Sequence, residues 1–231
     1  MFIYYLLLAI IPPLFLAYYI YKNDLFDKEP IDLVVKSFFG GCLIVVPIYF
    51  IEVALHDFTN NIFLYTLIGV ALIEEGFKYL LLIKFFFPLK DFDEPYDGIF
   101  YSVMISLGFA AIENIKYVLF DSNPGTEFTV AFLRMFTAIP LHATCGVIMG
   151  YYVGLSKFKI TRINENKFIK FFTNPKLIGL FLAILIHTFY DYFLFLGEGV
   201  IFSFVTLGIS VYLAKKAIKL HQQNSPYKDL N

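Results

Sequence analysis

Glu74 and Glu75 stand side by side, and Lys78 follows within one helical turn, in a run that is otherwise apolar from about residue 62 to residue 87. On a helix the ammonium shares a face with either carboxylate and can hold one of them ionised. Two carboxylates this close repel, so one tends to keep its proton, leaving a donor beside an acceptor as general acid/base chemistry requires. A buried ion pair that only locks helix register is the plainer reading, but it needs one carboxylate and not two. Three later stretches carry chemistry of the same kind. Glu113 and Asn114 follow the small-residue run Gly108-Phe109-Ala110-Ala111, His142 lies two residues after Pro140, and His187 precedes Asp191 by one turn. An imidazole whose second nitrogen is held by a carboxylate is set in tautomer and orientation, as metal-binding and catalytic histidines are.

Each signal alone has a structural explanation. Glu113 would serve as a helix-to-helix hydrogen bond, His142 as a packed histidine, and His187 with Asp191 as a structural pair or a proton relay. Together they place Glu or His in four consecutive apolar segments, a costly distribution that points to one shared, wet cavity. Two His with one or two Glu form the ligand set of a catalytic zinc with an open position, leaving another Glu as general base. On that reading His142, His187 and Glu113 are the candidate ligands. The same residues can activate water without a metal, Glu as base and His as oxyanion donor, and the sequence leaves both routes open. Nothing in the chain calls for an organic cofactor.

The segments that must position these groups are membrane helices. The chain has 231 residues, 59% of them hydrophobic and 16% charged, with a mean hydropathy of +0.71, outside the range of ordinary soluble domains. At about 20 residues per span the length accommodates roughly seven helices and no separate soluble domain. The expectation is an all-α, polytopic transmembrane bundle in one domain over residues 1–231, with spans near 2–21, 33–54, 62–87, 98–120, 129–155, 177–196 and 200–220. The first apolar run lacks the basic start of a cleaved leader and reads as an uncleaved span. Pro12-Pro13 and Pro140 predict kinks or local unwinding. Two connections carry a proline just before a span, Asp24-Leu25-Phe26-Asp27-Lys28-Glu29-Pro30 and Asp91-Phe92-Asp93-Glu94-Pro95-Tyr96-Asp97-Gly98, and read as helix-starting turns.

Cations mark one set of connections. Lys22, Lys28 and Lys36 follow the first span, and Lys84 and Lys90 follow the third. Lys157, Lys159, Arg162, Lys167, Lys170 and Lys176 follow the fifth, and Lys215, Lys216, Lys219 and Lys228 lie in the tail; the loops 56–61, 121–127 and 197–199 have neither Lys nor Arg. The positive-inside rule then puts the N-terminus outside and the C-terminus in the cytoplasm. Lys116 and Arg134, near outer helix ends, are expected to snorkel to the headgroups. At about 1.5 Å per residue, Glu113 would lie on the order of 20 Å and His187 about 15 Å above the inner edge of a ~30 Å core. Cys42 and Cys145 read as small core residues, and His56 and His221 carry no assigned chemistry. There is no basic tract of nucleic-acid type, and the partner that the composition implies is the bilayer.

Glu74-Glu75-Gly76-Phe77-Lys78, Phe109-Ala110-Ala111-Ile112-Glu113 and His187-Thr188-Phe189-Tyr190-Asp191 resemble the EExxK, FxxxE and HxxxD motifs of the PrsW family of intramembrane proteases, within the wider CAAX prenyl endopeptidase and Abi-like group. Asp27-Lys28-Glu29-Pro30 and Glu94-Pro95-Tyr96-Asp97-Gly98 are similar to that family's inner-loop signatures. The resemblance implies a multi-pass protease of the bacterial cytoplasmic membrane. It implies cleavage of a single-span, anti-sigma-factor-like protein near its outer side, with Glu74, Glu75, Glu113, His187 and Asp191 as catalytic positions. His142 lies outside the three motifs and rests on its depth and chemistry alone. Two other classes compete: a proton-coupled transporter or channel, which internal repeats with broken helices would mark, and a non-catalytic membrane scaffold. No such repeat is visible.

Overall fold

A computed structural model describes residues 2–158, 174–197 and 199–228; the cations Lys159, Arg162, Lys167 and Lys170 of the longest basic connection lie outside them. Among the described residues the chain is helical, with no strand. Helix α1 spans Phe2–Lys22 and α2 spans Ile31–Leu55. Helix α3, residues 62–86, alternates an α-turn Ile62–Leu64, a π segment Tyr65–Ala71, an α segment Leu72–Leu81 and a second π segment Leu82–Phe86. Helix α4 spans Pro95–Lys116 and ends in the π turn Tyr117–Asp121. Then come α5, Glu127–Phe136, α6, Ala138–Lys157, α7, Pro175–Phe195, and α8, Val200–Gln223.

Among the described residues, six stretches are long and apolar enough to cross a membrane, α5 and α6 counting as one. They coincide with all the expected spans except the third, which is helical over its whole length but carries the charged motif. Burial separates centre from rim. In the most apolar windows of α4 and of α5–α6, 61% of residues are buried, against 11% in α2, whose Val35, Phe39, Leu43, Val46 and Phe50 are exposed. Those outward apolar side chains have lipid for a solvent, so the polar groups must face the centre.

Among the described residues, helices α4 and α6 form the most extensive contact. Small residues make it possible, because lipid offers apolar helices little drive to associate and close backbone packing supplies it instead. A Cβ added to Gly150 would lie 2.1 Å from the carbonyl oxygen of Gly98, and one added to Gly108 would lie 1.9 Å from that of Phe38 on α2. Cys42 donates its thiol to Gly108 O at 3.3 Å and Cys145 to Ala183 O at 3.6 Å, so both act as packing residues.

The prolines act unequally. Pro12 and Pro13 lie inside the continuous α1. Before Pro140 the helix breaks at Thr137 (φ −125°, ψ −78°) and restarts at Ala138, because the proline has no N–H for Phe136 O and its ring would strike that carbonyl. At the end of the bundle formed by the 23–30 and 87–94 connections, Asp97 Oδ2 accepts the N–H groups of Asp93 and Glu94 at 2.7 and 2.8 Å, and Pro95 opens α4. The turn reading of this loop therefore holds locally. Asp24, Glu29 and Glu94 are buried beside it, and Tyr101 donates its hydroxyl to Glu29.

Candidate active site

The two π segments of α3 flank the charged motif. In them the backbone bonds reach back five residues, as from Phe87 N–H to Leu82 O at 2.9 Å, and such wide turns often occur at functional sites. Between them, the α segment Leu72–Leu81 turns Glu74, Glu75 and Lys78 inward, where all three are at most 3% exposed. Lys78 Nζ donates to Glu74 Oε2 at 3.1 Å, to Glu75 Oε1 at 2.8 Å and to His142 Nδ1 on α6 at 3.1 Å. An ammonium has three N–H donors, and here each has an acceptor. The Phe109 ring of α4 closes the remaining side, its centroid 4.0 Å from Nζ.

With Nδ1 accepting from Lys78, His142 must carry its proton on Nε2, and that N–H donates to Glu113 Oε2 at 2.9 Å. The same Glu113 oxygen accepts from Arg134 Nη2 of α5 at 2.7 Å, while Arg134 Nε donates to Asn114 Oδ1 at 2.7 Å. Asn114 in turn donates to Ala9 O at 2.9 Å, tying α1 to the group. On the other side Glu75 Oε1 meets His187 Nδ1 at 3.0 Å, and His187 Nε2 lies 3.3 Å from Asp191 Oδ2. One network thus runs from Arg134 through Glu113, His142, Lys78, Glu75 and His187 to Asp191.

The network borders a cavity of about 620 Å³, whose wall includes Glu52, Glu74, Glu113, Arg134, His142, His187 and Asp191. Most of the remaining wall is apolar, with Val45, Ile48, Phe109, Leu141 and Tyr190 among it. Glu75 is not part of this wall and is fully buried behind Glu74; its Oε2 has no hydrogen-bond partner. The seven residues singled out in the sequence are therefore brought together, although the two adjacent carboxylates face different surroundings.

Glu74, Glu75, His142 and His187 each offer a ligand atom, all within 4.8 Å of one another. Two imidazoles and two carboxylates, all buried, with one carboxylate oxygen unpartnered, are a donor set that suits a zinc-like ion. Glu113, which its chemistry and place in the sequence made a candidate ligand, stands outside that group of four and is held by Arg134 and His142 instead.

Arg134 does not snorkel. It turns inward because Glu113 and Asn114 offer it acceptors and Tyr117 stacks beneath its guanidinium at 4.0 Å. Lys116 pairs with Asp121. Sequence reasoning missed Glu52 of α2 as well: it lines the cavity, and its buried Oε1 has no partner. The available signal was the one used for the others, a carboxylate inside an apolar span.

The helical membrane bundle thus sets carboxylate, ammonium and imidazole groups beside a cavity, an arrangement able to activate water. Residues 29–215 match the sequence model of the PrsW family of intramembrane metalloproteases, and the chain belongs to that family. It is 35% identical over 188 residues to "Protease PrsW" of Bacillus subtilis (strain 168), covering 80% of each chain. The protein of the same name from Shouchella clausii (strain KSM-K16) is 33% identical over 212 residues, 90% of this chain and 91% of that one. That of Clostridioides difficile (strain 630) is 33% identical over 193 residues, 81% and 78%. No solved structure matches the chain. This is a multi-pass bacterial membrane protease.

Proposed function

We propose that the chain, as one domain over residues 1–231, cuts a single-span, anti-sigma-factor-like membrane protein near its outer side, with the N-terminus outside and the C-terminus in the cytoplasm. The observation that carries this reading is the cavity, where a carboxylate, two imidazoles and a guanidinium-held Glu113 converge on space large enough for an unwound peptide segment. Glu74, on the cavity wall, accepts a proton from water and returns it to the leaving amine. Glu75 lies behind it, its Oε1 fixed by Lys78 and His187, and keeps these two groups in register. Asp191 orients His187, and Glu113 with Arg134 orients His142, so both imidazoles are aimed before the peptide arrives. Within the group of Glu74, Glu75, His142 and His187, a zinc ion held by Glu75 and the two imidazoles would keep a position open for an acidified water, with Glu74 beside it as base, and would act as a Lewis acid on the scissile carbonyl.

The test compares membrane proteomes of cells expressing matched amounts of wild type, Glu74→Gln or Glu75→Gln. Uncut single-span proteins should accumulate in both variants while their outer fragments disappear. A purified substrate should then lose about 10²–10⁴-fold in rate with Glu74→Gln. Retained cleavage with Glu74→Gln would remove that residue from the chemistry, and identical proteomes from folded variants would overturn the substrate reading.

A further inference from the structure

Lys78 has a role beyond pairing with its own helix. Of the four residues that form a metal-ligand set, three already give an atom to its ammonium: Glu74 Oε2 at 3.1 Å, Glu75 Oε1 at 2.8 Å and His142 Nδ1 at 3.1 Å. The ammonium is 1% exposed, and Phe109 covers its open side. A zinc ion sits about 2.0–2.2 Å from carboxylate oxygen or imidazole nitrogen. Placed on those same atoms it would fall against Nζ, inside van der Waals contact and with like charge. The ammonium and a divalent ion cannot both occupy the centre of this set.

We propose that Lys78 is the resident cation of the site, competing with a divalent metal for Glu74, Glu75 and His142, so that metal binding requires its side chain to withdraw. The inference rests on reading Glu74, Glu75, His142 and His187 as the metal-binding set. Its physical content is a two-state equilibrium. With the ammonium in place the acceptors are satisfied, the two carboxylates are neutralised and His142 is held in the Nε2–H tautomer, with its Nδ1 lone pair turned to the centre. With the ammonium withdrawn, the same lone pairs point at an empty centre, and a metal gains them without rebuilding the helices. A ligand that binds only the less populated of two states loses affinity in proportion to that population. A methionine at this position keeps the chain length and removes the competing charge.

The experiment uses the purified full chain in nanodiscs, stripped with a chelator and titrated with Zn²⁺ alone against a chromophoric chelator. Lys78→Met should bind zinc at least about tenfold more tightly than wild type, as expected if the withdrawn state is populated at about a tenth or less. Because the variant also removes the partner of two buried carboxylates and can fail to fold, a second measurement uses wild type. Reductive methylation by formaldehyde with cyanoborohydride as the hydride donor, mapped by peptide mass spectrometry, should spare Lys78 in the stripped protein and modify it under saturating zinc. Equal or weaker zinc affinity in folded Lys78→Met, zinc bound to neither protein, or Lys78 labelling that ignores zinc would overturn the proposal. These outcomes are separable from failure of the protease reading. Zinc bound to neither protein while Glu74→Gln still abolishes cleavage leaves the protease and removes the competition; a zinc-dependent Lys78 in a protein that cuts nothing does the reverse.

Discussion

Gly150→Ala adds one methyl group where α6 meets α4. The new Cβ would lie 2.1 Å from Gly98 O, 2.6 Å from Gly98 C and 2.6 Å from Ile99 Cα, whereas ordinary contact begins at 3.4 Å. All three obstacles are backbone, so no rotamer change relieves them, and the helices must part locally by about 1 Å. Overpacking of this kind costs about 1–3 kcal/mol. The same two helices carry Glu113 and His142, whose hydrogen bond is 2.9 Å long, and a misplacement of about 1 Å can cost 10²-fold in rate. Gly76→Ala is the control. It lies inside the charged motif between Glu75 and Lys78, yet a Cβ there meets nothing within 4 Å, and alanine is the better helix former by about 1 kcal/mol. Thermal unfolding in nanodiscs and initial cleavage rates of a purified substrate read both variants. Gly150→Ala should unfold at lower temperature and cut at least about tenfold more slowly, with Gly76→Ala close to wild type. A Gly150→Ala protein as stable and active as wild type, or a Gly76→Ala protein more damaged than it, would refute the packing argument.

Arg134→Met leaves Glu113 bonded only to His142; the pair is about 15% exposed on each side, so the loss should be about 2–3 kcal/mol, below the ~3–5 of a fully buried pair. Thermal unfolding measures it, and an Arg134→Met protein of wild-type stability would show that the pair contributes nothing. Asp24, between α1 and α2, has its carboxyl pushed up from 3.8 to about 8 by burial and by the charges of Glu94 and Glu29. Below about pH 4 it is protonated folded or unfolded; from there to about pH 8 the unfolded chain releases the proton and the folded chain keeps it, so stability falls as pH rises. Glu29, raised to about 7 by burial, shares that window, so Asp24→Asn should lessen the fall of unfolding midpoints without abolishing it, and an unchanged slope would remove Asp24 as a source.

The helical class and the site's inventory were legible because each rests on local chemistry. An apolar run of span length has few alternatives to a helix in lipid, and ionisable groups inside such runs advertise a shared polar interior. Glu74, Glu75, Lys78, Glu113, His142, His187 and Asp191 could be collected that way without knowing which helices touch. What the sequence left undetermined is what each group faces. Periodicity makes Glu74 and Glu75 equivalent, since both lie within a turn of Lys78. Only the π segments on either side of the motif and the packing of α6 and α7 against it put Glu74 on the cavity and Glu75 behind. Arg134 looked like a headgroup anchor because its inward partners, Glu113 and Asn114, belong to another helix. Small residues can be counted along one helix, but the tight approach joins Gly98 to Gly150, far apart in the chain, and exists only once α4 and α6 pack. Residue type and burial cost are properties of the chain, and they determined which groups must meet; direction and distance arise between helices, so tertiary packing alone decided which group holds which.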